Sequence, residues 1–63
     1  DLIRAIDSLS SDLRITMWLF YFDDMSIEEI SNALKIPKGT IKSRLNRGRE
    51  KIYNIMSEGD NHE

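Results

Sequence analysis

The chain has no cysteine, which excludes a disulfide framework and any thiolate metal site. That absence suits a reducing compartment, and a cytoplasmic location is expected. Its one histidine, His62, lies in a polar C-terminal stretch, so the body of the chain holds no imidazole for acid–base or metal chemistry. Glycine occurs three times, never in the clustered pattern of a phosphate-binding loop. No apolar run approaches the roughly 20 residues of a membrane span, and there is no signal-peptide pattern. With 63 residues the chain is one domain at most, near the lower limit for folding alone, and too small for a substrate pocket. The acid pairs Asp23-Asp24 and Glu28-Glu29 fall at a turn and a helix start, where capping accounts for them. Together these absences exclude an enzyme and call for no cofactor and no metal. The chain begins at Asp1 rather than methionine, so it is expected to be a fragment of something longer.

What is present is an uneven distribution of charge. The net charge of −2 argues against a nucleic-acid partner until it is mapped along the chain. Residues 1–34 carry two basic and seven acidic side chains, a net −5. Residues 35–51 carry seven basic side chains against Glu50 alone, a net +6, and the remainder carries −3. A local field of this kind attracts phosphate to one segment while the whole-chain pI of about 5.3 conceals it.

Apolar spacing gives four helices and no strand pattern, so an all-α domain is expected over residues 1–56. Leu2, Ile3, Ile6 and Leu9 form the stripe of a first helix over residues 1–8. Ser10 is the expected N-cap of a second helix ending near Phe22, with Asp12 in its first turn, at the positive end of the dipole. That helix has two apolar stripes, Leu13-Met17-Phe20-Tyr21 and Ile15-Trp18-Leu19-Phe22. Aromatics crowd it beyond what one small core needs, so Trp18, Phe20 and Phe22 are candidates for a protein-docking patch. Ser26-Ile27-Glu28-Glu29 is a capping box, with Met25 and Ile30 at the staple positions, and opens a third helix ending near Leu34. After a short turn, Pro37 presets φ for a fourth helix reaching about Met56, with Ile41, Leu45, Ile52, Ile55 and Met56 on its inner side. Residues 57–63 are polar and are expected to be a disordered tail.

The third helix, tight turn and fourth helix, about residues 26–54, form a helix-turn-helix layout. An ordinary helical hairpin with a solvated basic face would show the same spacing, and the local +6 favours DNA. With Ile41 and Leu45 inward, the outer face centres on Ser43, Asn46, Arg47 and Glu50, with Lys42 at its edge. The first turns of such a helix enter the major groove deepest, so Lys42, Ser43, Asn46 and Arg47 are the base-reading candidates. Arg47 suits a bidentate pair with guanine, and Asn46 one with adenine. Lys38, Thr40 and the N–H groups around Gly39 sit at the helix start, where phosphate is favoured. Arg49 and Lys51 are placed to reach the flanking DNA backbone. Arg44 lies at the flank of the inner face and has two open roles, a phosphate contact or a brace to Glu29.

The runs Leu9-Ser10-Ser11-Asp12-Leu13-Arg14, Met25-Ser26-Ile27-Glu28-Glu29-Ile30-Ser31 and Gly39-Thr40-Ile41-Lys42-Ser43-Arg44-Leu45-Asn46-Arg47-Gly48-Arg49-Glu50-Lys51-Ile52, with Tyr21 between the first two, resemble region four of bacterial RNA polymerase sigma factors. The likeness is to the extracytoplasmic-function subgroup and covers about residues 2–56. It implies a four-helix domain whose last helix binds the −35 promoter element in double-stranded DNA. It also implies docking on the β flap of the polymerase core and, in many members, capture by an anti-sigma factor. Positions in the family that match the base-reading candidates contact bases. The chain departs from the family pattern at Ser10, where proline is usual, and at Asp24 and Lys35, where glycine is common. A left-handed residue other than glycine costs on the order of 1 kcal/mol, so those two turns are expected to change shape. Ser31 and Gly48 replace typical alanines.

Two other readings are compatible with the same residues. A response-regulator effector domain has a similar last helix but dimerises on DNA. A protein-interaction module, bound mainly by an anti-sigma factor or polymerase, would depend on Trp18 or Phe22 rather than on Arg47.

Overall fold

The computed structural model describes residues 1–60 of the chain. Among them are four helices and no strand: α1 Leu2–Asp7, α2 Ser11–Tyr21, α3 Ile27–Leu34 and α4 Lys38–Asp60. None of the described helices is long and apolar enough to cross a membrane. Helix α4 packs against each of the other three, and its inner face is the spine of the core.

Local chemistry sets most of the helix ends. The Asp1 carboxylate accepts from the Arg4 N–H at 3.0 Å and caps α1. Ser10 occupies the N-cap of α2, and its carbonyl accepts from the Arg14 N–H at 2.8 Å, but its hydroxyl makes no capping bond. The capping box of α3 closes in both directions: Glu29 N–H to the Ser26 hydroxyl at 3.1 Å, and Ser26 N–H to the Glu29 carboxylate at 2.8 Å. Pro37 stands just before α4, and its carbonyl accepts from the N–H groups of Thr40 and Ile41. Helix α4 runs to Asp60, beyond the end expected at Met56; Asn61 to Glu63 of the expected tail lie outside the described residues.

The two turns expected to change shape keep the left-handed conformation instead, with φ of 58° at Asp24 and 61° at Lys35. Hydrogen bonds around the second turn offset its strain. The Ile36 N–H donates back to the Ser31 carbonyl at 3.1 Å, the six-to-one bond of a Schellman-type cap. The Ser31 hydroxyl then donates to the Ile36 carbonyl. Ser31, in place of an alanine, thus pins the turn that fixes α4 behind α3.

The core consists of Ala5, Ile6 and Leu9, Leu13 and Met17, Ile30, and Ile41, Leu45 and Ile52. Two stripes differ from those expected. In α1 the inward residues are Ala5 and Ile6, while Leu2 and Ile3 are exposed. In α4 the buried stripe stops at Ile52, and Ile55 and Met56, expected on the inner side, are exposed. Thr16 is fully buried, a polar residue in neither expected stripe, and is satisfied by donating its hydroxyl to the Asp12 carbonyl at 2.9 Å.

Gly48 is buried where α4 crosses α2, and a Cβ there would lie 2.7 Å from Met17 Sδ and 2.8 Å from Met17 Cγ. The glycine therefore makes room for Met17. Gly48→Ala gains about 1 kcal/mol of helix propensity, but it displaces Met17, at about 1–3 kcal/mol for an overpacked core. The expected net effect is destabilisation by about 1 kcal/mol. In a Met17→Ala background the same change should stabilise by about 1 kcal/mol, since only the propensity gain remains. A double-mutant cycle by urea unfolding checks this; additive effects would remove the steric explanation.

Candidate nucleic-acid interface

The outer face of α4 is built by the burial of its inner one. With Ile41 and Leu45 at 0% and 1% exposure, helical geometry turns Lys42, Ser43, Asn46, Arg47 and Glu50 to solvent, and all five are exposed. Ser43, Asn46, Arg47, Arg49, Glu50 and Tyr53 line one open concave surface along this face. On the far flank a second groove, between α4 and the start of α2, collects Thr40, Ser43, Arg47 and Lys51 opposite Ser10 and Asp12.

Tertiary contacts divide the basic run into two sets. Arg44 is drawn under the flank of α4, where Nη2 lies 3.9 Å from Asp12 Oδ2 of α2. The alternative brace to Glu29 is not formed, because that carboxylate is engaged in the capping box. Five residues on, Arg49 turns to the other end of α2: its Nε donates to the Tyr21 hydroxyl at 2.6 Å, and its guanidinium lies 5.9 Å from the Phe20 and Tyr21 ring centroids. A guanidinium over aromatic faces is favourable while its remaining N–H groups stay hydrated. Arg49 also donates through Nη1 to Asn46 Oδ1 at 3.0 Å. Arg49, expected at the flanking DNA backbone, is thus engaged in the free chain by α2 and by a base-reading candidate.

The other cations are uncommitted. Lys42, Arg47 and Lys51 make no hydrogen bond or ion pair among the described residues, and Lys38 has only an exposed 4.0 Å pair with Glu28. Such a surface pair contributes 0–1 kcal/mol and yields readily to a phosphate. Lys38, Gly39 and Thr40 form the first turn of α4, where the N–H groups of Lys38 and Gly39 lack intrahelical acceptors and that of Thr40 is taken by the Pro37 carbonyl. Arg44 and Arg49 thus contact α2 near its two ends, while Lys38, Lys42, Arg47 and Lys51 keep their charges open to solvent.

The three docking candidates separate. Trp18 and Phe22 are exposed and stack on each other with centroids 4.5 Å apart, beside exposed Ile15. Phe20 is half-buried beneath Arg49 and is not part of that patch. Sequence reasoning missed Asp12 and Tyr21 as partners of the basic run. The one available signal was their position near the two ends of a helix that α4 must cross.

The family model for sigma-70, region 4, matches residues 1–52. The chain is 45% identical over 51 residues to the ECF RNA polymerase sigma-E factor of Escherichia coli strain K12, covering 81% of this chain and 27% of that protein. The same identity and coverage hold for the sigma-E factor of Salmonella typhi. The ECF RNA polymerase sigma factor SigE of Mycolicibacterium smegmatis is 35% identical over 57 residues, covering 90% of this chain and 22% of that protein. The chain thus spans about a quarter of the length of these relatives. An all-α helix-turn-helix with an outward basic face, matched over most of its length, places this chain in the sigma-70 region 4 family.

Proposed function

We propose that this chain is the −35-reading domain of an extracytoplasmic-function sigma factor, which directs RNA polymerase to promoters by laying α4 in the major groove. The observation that carries the reading is the uncommitted face of α4. Ser43 and Arg47 project outward without intramolecular partners among the described residues, Lys42 and Lys51 lie beside them, and a fixed helix presents them. The domain performs no chemistry of its own in this reading. Base edges are read by Lys42, Ser43, Asn46 and Arg47, and phosphates by Lys38, Gly39, Thr40 and Lys51. The exposed Trp18–Phe22 pair with Ile15, on α2 and its C-terminal end rather than on α4, supports a protein contact to the β flap of the polymerase core or to an anti-sigma factor.

Binding to a −35-type duplex should be strongly salt-dependent. Three or four phosphate contacts give a slope of about −3 in log K against log salt. Fluorescence anisotropy titrations at several salt concentrations measure it, and a slope near zero would remove the electrostatic part of the proposal.

A further inference from the structure

Among the described residues, Asn46 is the one base-reading candidate whose side chain is already held. Its Oδ1 accepts from Arg49 Nη1 at 3.0 Å, and Arg49 is held in turn by the Tyr21 hydroxyl at 2.6 Å and by the faces of Phe20 and Tyr21. Arginine has donors only, so the amide group must present its oxygen, not its nitrogen, to Arg49. The planar amide then directs its NH₂ away from α2. A free asparagine reads adenine by giving one hydrogen bond to N7 and accepting one from N6. With its oxygen turned aside, Asn46 faces the groove with its N–H donors, which match the adjacent acceptors O6 and N7 of guanine, whereas adenine offers one acceptor, N7, beside its own N6 donor.

Building on the DNA-reading role proposed above, we infer that Tyr21 and Arg49 are positioning residues that set the base preference of Asn46, turning its donors to the groove so that it selects guanine over adenine. Arg49 acts here through Asn46 and not through a phosphate. Tyr21 acts at one remove, from the end of α2, by fixing the guanidinium.

The test is selection from a duplex library randomised across the bound site, with relative affinities measured for the whole chain and four variants. Asn46→Ala identifies the base pair, as the position whose preference it abolishes. There the unaltered chain should disfavour adenine by roughly tenfold, the scale of one lost pairing. Arg49→Met frees the amide and should raise adenine about tenfold relative to guanine. Tyr21→Phe keeps the ring and removes only the hydroxyl, so it should shift the same base pair in the same direction by about threefold without unfolding the chain. Asn46→Asp has no donor, and it should move the preference to cytosine, whose amino group gives to a carboxylate.

A purely structural Arg49 would lower the melting temperature and leave the base profile unchanged. A phosphate-bound Arg49 would weaken every sequence alike. Either result from Arg49→Met, with no shift from Tyr21→Phe, overturns the inference, as does an adenine preference in the unaltered chain or no effect of Asn46→Ala. A chain that selects no sequence at all overturns base reading itself, and this inference with it; a selective chain whose profile ignores Arg49 and Tyr21 overturns this inference alone.

Discussion

Replacing Arg47 with alanine is expected to relax sequence preference at one base pair by about 1–3 kcal/mol, the discrimination that one bidentate arginine–guanine contact provides. The expectation rests on three features of the residue. It is exposed at the middle of the outer face, it has no intramolecular partner among the described residues, and it stands between Arg44 and Arg49, which are pinned to α2. Its guanidinium therefore gives up no protein contact on meeting a base. Arg47→Lys should lose most of the same discrimination while keeping the charge, because an ammonium cannot make the paired contact to guanine O6 and N7. Lys38→Ala gives the contrast. Its side chain leaves the helix start beside Glu28, so its removal should weaken all duplexes alike and make the salt slope about one unit shallower. Competition titrations with single-base-pair substitutions separate the two patterns. If Arg47→Ala weakened every sequence equally, Arg47 would be a phosphate contact, and base reading would rest on Ser43, Lys42 and Asn46.

Truncating Ile41 should have the largest effect on stability. Its side chain is fully buried in the first turns of α4, in one cluster with Ile30 and Leu45. Ile41→Ala should cost about 2–5 kcal/mol, from lost transfer energy and the cavity left behind. A core in a domain this small supplies only about 3–5 kcal/mol of net stability. The variant should therefore be largely unfolded at 25 °C, with no cooperative urea transition by circular dichroism. Ile41→Val should lose only about 0.5–1.5 kcal/mol and keep that transition at a lower midpoint. An unchanged midpoint in Ile41→Ala would mean that α4 is not held by this cluster. The two experiments are complementary: Arg47 tests the outer face of α4 with the fold intact, and Ile41 tests the inner face that orients it.

Much of the architecture was legible from local patterns. The Ser26–Glu29 capping box spans four residues, so the donors and acceptors that close it are set by the chain segment itself. The basic run at residues 35–51 and the outward placement of Ser43, Asn46 and Arg47 follow from counting charges and from helical periodicity around Ile41 and Leu45. Periodicity was less informative for α2, which is apolar on nearly every side. Either stripe satisfied the spacing, and only contact with α4 decided that Leu13 and Met17 go inward while Trp18 and Phe22 stay out. The left-handed turns at Asp24 and Lys35 show a further limit. A residue's intrinsic cost at positive φ is a property of one position, but the bonds between Ser31 and Ile36 that hold the second turn belong to its surroundings.

The sequence by itself determined the four helices, the position of the tight turn and the segment that carries positive charge, because each depends on residues within a few positions of one another. Tertiary structure alone decided which of those charges remain free. Arg44 meets Asp12 and Arg49 meets Tyr21 across separations of about thirty residues, and Gly48 meets Met17 in the same way. The physical reason is that a long cationic side chain has many partners within reach of its own helix face, and the choice among them is made by whichever neighbouring helix packs there. Once α2 lies across α4, two arginines become braces and Arg47 is left to face outward.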